Sequence, residues 1–309
     1  MPAEKAHGGI VAAAGRREEA RLAWWLVVPA LVPLVGLALL PVGWAVLESL
    51  HLHDLRAPWL GEPFVGLRQY REALGDPRFL AALAHTLFFT AASVTLELGL
   101  GFALALALHA RFPGRGLARM AALLPWALPT VVAALVWRFL FDGPASFANQ
   151  LALALGASEP IAWLSHPQLA WVPVILADVW KTTPFVALLL LAGLQSIDPA
   201  LDEAARVDGA GSWRRLWHVT LPLLRPALAV VLLFRAVDAL RLFDLVYVLT
   251  GGGPGTATEP LALYTFTVLL QYLRFGYGAA LAVIIFVLAA ALAWGVVRSL
   301  APSALGGRA

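Results

Sequence analysis

The stretch that decides how this chain is read is Glu203–Pro226, EAARVDGAGSWRRLWHVTLPLLRP. It is the polar interruption of an otherwise apolar second half, with Asp198, Asp202, Glu203 and Asp208 standing beside Arg206, Arg214, Arg215 and Arg225. Asp198 is placed to cap a helix whose first position is Pro199, and Asp202 and Glu203 lie near its positive end, where carboxylates are favoured. Gly209 and Gly211 interrupt that helix. Ser212 is placed to cap a second short helix through Trp217, and Pro222 returns the chain to apolar sequence. Leu201, Ala204, Ala205 and Asp208 recur at helical spacing and form a narrow small-residue face. That face suits close docking on a partner; a capped, solvent-facing hairpin is the other reading that periodicity leaves open.

On both sides of this loop the chain is made for lipid. Of 309 residues, 61% are hydrophobic and 13% charged, so a soluble domain is excluded as the main body. A spanning helix needs roughly 20 apolar residues. Six segments of that kind are present: Leu22–Leu47, Phe79–His109, Leu117–Phe141, Leu169–Leu194, Leu223–Leu249 and Gly278–Val297. A further apolar stretch, Leu261–Leu273, is too short to span and reads as a re-entrant or interfacial helix, or as the entrance to the sixth span. The first segment follows Arg16, Arg17 and Arg21 but is long, carries Pro29, Pro33 and Pro41, and lacks a convincing cleavage site. It reads as a retained span rather than a cleaved signal.

The basic residues fix an expected orientation. With a cytoplasmic N-terminus, the inner segments hold Lys5, Arg16, Arg17, Arg21, Arg111, Arg115, Arg119, Arg206, Arg214, Arg215, Arg225, Arg298 and Arg308. The outer segments hold only Arg56, Arg68, Arg71, Arg78 and Arg274, and 142–168 has none. The positive-inside bias therefore puts both termini, and the 195–222 loop, in the cytoplasm. The expected organisation is a tail at 1–21, a first span at 22–47, an external loop at 48–78 and an all-α core at 79–298 holding the other spans. Within that core lie the 195–222 loop and an external Gly-rich segment at 250–277; a tail at 299–309 follows.

Glu203, Ala204, Ala205, Gly209, Leu221 and Pro222 stand at the spacing of a known signature: a Glu-Ala-Ala start, a glycine six residues after the glutamate and a closing Leu-Pro. The loop resembles that of the membrane subunits of binding-protein-dependent ATP-driven importers, in the sugar-permease branch that includes the maltose and glycerol-3-phosphate systems. RLFDLVYVLTGGGPGTATEPLALYTF from Arg241 and VGLRQYREALGDPRF from Val65 are similar to further segments of that branch. The resemblance implies six transmembrane helices with a cytoplasmic coupling helix between the fourth and fifth. Glu203, Ala204, Ala205, Asp208, Gly209, Leu221 and Pro222 would then form the contact with an ATPase subunit. It also implies a second homologous permease subunit, two ATP-binding cassette subunits, an extracytoplasmic solute-binding protein and a sugar as substrate, an α-glucoside disaccharide or oligosaccharide fitting best. ATP and Mg would be used by the partners, with no cofactor on this chain, and the location would be the inner (cytoplasmic) membrane. Asp202, where relatives often carry an aromatic residue, and the Arg214–Arg215 pair depart from the pattern.

Ionisable residues within the spans are the other informative group. Arg235, Asp238, Arg241 and Asp244 share the fifth span. At 100° per residue, Arg235 and Asp244 fall on opposite sides, so the four do not all line one narrow wall. The resemblance implies that the outer part of this span faces the translocation route, making Asp238, Arg241 and Asp244 candidates for pathway or interhelix contacts. Lys181 stands three residues from Asp178, at the spacing of an ion pair.

Other chemistries fit poorly. The chain has no Cys and a formal charge of only +3, which removes thiol chemistry and gives no footprint for nucleic acid. Gly251–Gly255 lacks the Lys-Ser/Thr of a phosphate-binding loop. His51, His53 and Asp54 lack the further ligands of a catalytic metal. Trp24, Trp25, Trp44 and Trp59 fit membrane-edge anchoring at least as well as sugar stacking. The competing functions are a glycerol-3-phosphate or polyol importer and a stand-alone secondary transporter, the latter having no reason to carry the docking loop.

Overall fold

A computed structural model describes residues 24–29, 31–33 and 35–300. The expected tail at 1–21, the start of the first span and all but the first two residues of the expected tail at 299–309 lie outside the described residues.

The described chain is helical, with only two isolated bridges, His51 to Phe64 and Asp54 to Arg274, in extended pairing. In order the helices are α1 (Leu40–Ser49, entered through a π turn, Val35–Leu39), α2 (Arg68–Gly75), α3 (Pro77–His109), α4 (Arg115–Ala127), α5 (Thr130–Phe141), α6 (Phe147–Ala154) and α7 (Trp171–Gln195). Then come α8 (Pro199–Val207), α9 (Ser212–Arg215), α10 (Leu221–Leu240), α11 (Asp244–Leu249), α12 (Leu261–Phe266) and α13 (Phe275–Leu300). Four segments are long and apolar enough to cross a bilayer: Leu31–Ser49, α3, α7 and Phe275–Ser299.

The third expected span is not one rod. It is divided into α4 and α5, which meet at 88°. The cause is local: Pro129 forces the preceding Leu128 out of the helical region, to ψ 138°. The fifth expected span is also shorter than read. Its helix, α10, stops at Leu240, and Arg241, Leu242 and Phe243 are non-helical before α11 begins at Asp244. Arg225, Arg235 and Asp238 make α10 less apolar than the four segments above. The short apolar stretch is found as α12 and its π continuation, Thr267–Gln271.

α3 and α7 form the axis. Asp76 caps α3 by accepting from the backbone N–H of Arg78 at 2.9 Å, and Pro77 opens its first turn. The two helices run parallel, Phe89 packing near Trp171 at one end and Leu108 near Leu194 at the other. Gly101 permits their approach: a Cβ there would lie 2.4 Å from Val186 Cγ1. α10 runs antiparallel against both, with Leu224 in the Leu108–Leu194 cluster and Ala239 in the Phe89–Trp171 cluster. A third cluster, Ala73, Phe79, Leu261, Tyr264, Tyr277 and Leu281, ties α12 and α13 to the start of α3.

Candidate functional site

Where the two axial clusters meet, the apolar packing is broken by charge. Arg235 of α10 is 2% exposed and Glu97 of α3 is fully enclosed. The guanidinium donates from Nε to Glu97 Oε2 at 2.5 Å and from Nη2 to Glu97 Oε1 at 2.7 Å. It also reaches Asp178 Oδ2 of α7 at 2.9 Å and Asp238 Oδ2 at 2.5 Å. Thr182 Oγ1 donates to Glu97 Oε1 at 2.6 Å. A desolvated charge is stable only when paired and hydrogen-bonded. Here one guanidinium serves three carboxylates on three helices.

Beside this network lies a cavity of about 130 Å³, lined by Asp178, Lys181, Thr182, Asp238, Arg241 and Asp244, with Phe89, Thr130 and Phe243. The three candidate pathway residues thus all line this cavity. Continuous-helix geometry placed Arg235 and Asp244 on opposite sides; the break at Arg241–Phe243 removes that constraint and brings Asp244 round to the cavity, while Arg235 lies buried behind Asp238. The expected Asp178–Lys181 pair is not formed. Asp178 turns to Arg235, and Lys181 has no ion-pair partner among the described residues. Glu97 was missed by sequence reasoning. Its signal was available, as a lone carboxylate in a 33-residue helix otherwise apolar through its middle.

At the far end of the bundle, the Glu203 loop folds as two short helices. Asp198 caps α8, its side chain accepting from Ala200 N at 2.9 Å. Gly209 turns the chain at φ +78°, a conformation that disfavours a Cβ. The cap of α9 is Gly211, not Ser212, which is the first helical residue; Ser212 instead accepts from Arg215 at 3.3 Å. Asp202 joins the two helices by pairing with Arg206 at 3.0 Å and Arg215 at 2.9 Å. This gives a physical use to one residue of the departing pair and to the departing acid. Glu203, Ala204, Asp208 and Gly209 are exposed, Ala205 is half-buried, and Leu221 and Pro222 are half-buried at the start of α10.

The opposite end is closed by polar ties. Arg78 forks onto Glu259 at 2.8 Å and donates to Tyr272 at 2.7 Å. Asp76 accepts from Tyr264 and, at 2.9 Å, from Tyr277. Burial would raise the Asp76 carboxyl, but these hydroxyls and the backbone N–H groups of Arg78 and Phe79 outweigh it and hold the group below its ordinary value. His53 contacts Glu48, and Asp54 binds Arg56 at 2.7 Å, so their polar atoms serve the loop itself.

A bundle of membrane-length helices with a charged cavity between α3, α7 and α10 and an exposed two-helix loop at one end has the make-up of a membrane transport component. The chain belongs to the family of binding-protein-dependent transport system inner membrane components, whose pattern matches residues 98–304. It is 43% identical to the trehalose/maltose transport system permease protein MalF of Thermococcus litoralis, over 87% of this chain and 90% of that one. It is 42% identical to the trehalose transport system permease protein SugA of Mycobacterium tuberculosis, over 94% and 92%. In fold it matches a chain of a bacterial ABC transporter that imports the acidic polysaccharide alginate, with TM-score 0.76 and 23% identity over 92% of this chain and 98% of that one.

Proposed function

We propose that this chain is the permease subunit of an ATP-driven importer of a neutral sugar, with trehalose and maltose the first substrates to try. The observation that carries the reading is the pairing of two sites on one continuous framework: the exposed α8–α9 loop and, along α7 and α10, the charged cavity. α10 leads from the loop to the cavity wall, so a movement imposed on the loop is transmitted to Asp238 and Arg241 through a rigid element. In this reading there are six spans, counting α4–α5 as one bent span and α10 as the fifth; the even number puts both termini on one side, and the basic-residue bias supports the cytoplasm as that side and as the side of the loop. Glu203, Ala204, Ala205, Asp208, Gly209, Leu221 and Pro222 then meet an ATP-binding cassette subunit. ATP and Mg act there, and this chain supplies the route by alternating access together with a second permease subunit. An extracytoplasmic binding protein delivers the sugar.

The cavity favours an uncharged solute over glycerol-3-phosphate. Asp178, Asp238 and Asp244 outnumber Lys181 and Arg241 on its walls, and hydroxyl groups satisfy donors and acceptors alike. The test is reconstitution with the second permease subunit, the ATPase and the binding protein, followed by measurement of trehalose- or maltose-stimulated ATP hydrolysis. Stimulation is expected; uptake that proceeds without the ATPase would overturn the proposal.

A further inference from the structure

The tryptophans at the loop end of the bundle are not used by the function proposed above. Trp213 and Trp217 are 72% and 53% exposed and form an edge-to-face pair at 5.8 Å. On α13, which packs against α10, Trp294 is 64% exposed and carries the Arg298 guanidinium 5.0 Å above its ring. Arg215 is engaged by Asp202, whereas Arg214 and Arg298 have no ion-pair partner among the described residues. Arg298 lies over an exposed indole, and Arg214 adjoins two exposed indoles in the sequence, so two separate parts of the chain combine an unpaired guanidinium with exposed tryptophan.

Both lie at one level. The 20 residues of α10 measure about 30 Å, the thickness of the hydrocarbon. Helix continues unbroken upstream through Leu216–Thr220 into α9. With α10 taken as the part that fills the hydrocarbon, Trp217 stands about 6 Å beyond the edge, at the level of the interfacial layer, with Trp213 on its aqueous side. Trp294 stands about 29 Å along α13 from Phe275, at the same boundary, and Arg298 is one turn further. Indole favours this layer, and an unpaired guanidinium there is matched by a phosphate. Trp213 and Trp217 lie past the Gly209 turn but before Leu221 and Pro222, so lipid contact and ATPase contact are the two occupants that the test separates.

We propose that Trp213, Trp217 and Arg214, with Trp294 and Arg298, form an interfacial band that selects anionic phospholipid headgroups of the cytoplasmic leaflet. The inference rests on the orientation given above. It is tested on the assembled transporter in bilayers of phosphatidylcholine containing spin-labelled phosphatidylglycerol or spin-labelled phosphatidylcholine. Preferential association of the phosphatidylglycerol is expected, falling about fivefold for each of Arg214→Gln and Arg298→Gln and retained in the Arg→Lys variants. Headgroup-proximal brominated lipid should also quench a fluorescence component that is missing from Trp213→Phe/Trp217→Phe. Selectivity unchanged in both Gln variants would overturn the proposal, as would indoles shielded only when the ATPase is added. Orientation is checked separately: the chain lacks cysteine, so Ser212→Cys reports its side to an impermeant maleimide. Labelling from outside would overturn the orientation while leaving the lipid measurement to stand or fall by itself.

Discussion

Arg235 and Glu97, 138 positions apart, meet in a two-bond fork, Nε to Oε2 at 2.5 Å and Nη2 to Oε1 at 2.7 Å, with neither side chain more than 2% exposed. Removing one partner of such a pair strands the other. Glu97→Ala should destabilise the fold by about 3–5 kcal/mol, read as a lowered thermal midpoint in detergent. Glu97→Leu with Arg235→Met should recover only part of the loss, because Asp178 would then be the stranded charge. A variant pair as stable as the parent would mean that the network is dispensable.

The parallel contact of α3 and α7 gives a second prediction. In an isolated helix Gly→Ala gains about 1 kcal/mol. At Gly101 the new methyl would sit 2.4 Å from Val186 Cγ1 and 2.8 Å from its Cβ, and a β-branched side chain has little freedom to yield. Overpacking costs about 1–3 kcal/mol, so the net effect of Gly101→Ala should be a loss. Val186→Ala in the same chain should restore stability, and thermal unfolding of the three variants checks both statements.

How much of this was legible beforehand depends on range. The Asp198 cap, the Gly209 turn and the run of α3 follow from neighbours within a few residues, and they were readable. The α4–α5 bend was present in Pro125 and Pro129 but masked by the apolarity of the whole stretch, since hydropathy measures length in lipid and not straightness. The partner of Arg235 was beyond reach: spacing along α10 names Asp238, whereas Glu97 enters only once α3 and α10 are neighbours. For the same reason Asp178 was assigned to the nearby Lys181 and is held by the distant Arg235. Asp244 joined the cavity through a three-residue break that no periodicity announced.

Asp76 sets an acid limit on the closed end of the bundle opposite the loop. Its pKa is depressed below the ordinary 3.8, so its tyrosine bonds contribute fully above that value. The contribution declines as pH falls through the folded-state value. Asp76→Asn should therefore lower stability at pH 7 and flatten the stability–pH profile below about pH 4, the region in which the carboxylate titrates. Unfolding curves from pH 3 to pH 7 would show it; parallel profiles for parent and variant would contradict it.

At the loop, coupling and folding should separate. Gly209→Val forces a β-branched residue into φ +78° and should distort the α8–α9 turn, and Glu203→Ala removes an exposed carboxylate with no ion-pair partner among the described residues. Both variants should insert and fold at near-parent levels yet lose most sugar-stimulated ATP hydrolysis. Asp202→Ala differs in kind, because it cuts the tie to Arg206 and Arg215 and should loosen the loop itself. Proteolysis at Arg206 or Arg214 would accelerate in that variant alone.

The cavity offers the sharpest test of substrate charge. Its acidic excess rests on Asp238 and Asp244, and the two differ in support: Asp238 is held by Arg235, while Asp244 has no ion-pair partner among the described residues. Asp244→Asn should thus leave stability almost unchanged, and Asp238→Asn should cost somewhat more by releasing one arm of the guanidinium. Transport should respond in the opposite sense to a simple loss. Each substitution removes one negative charge, so an anionic solute excluded by the parent should compete for uptake in Asp244→Asn, and the difference between the two should narrow at high salt, where the parent's repulsion is screened. Uptake of labelled trehalose with glycerol-3-phosphate as competitor measures this directly. Equal exclusion of the anion by parent and variant would place selection outside this cavity.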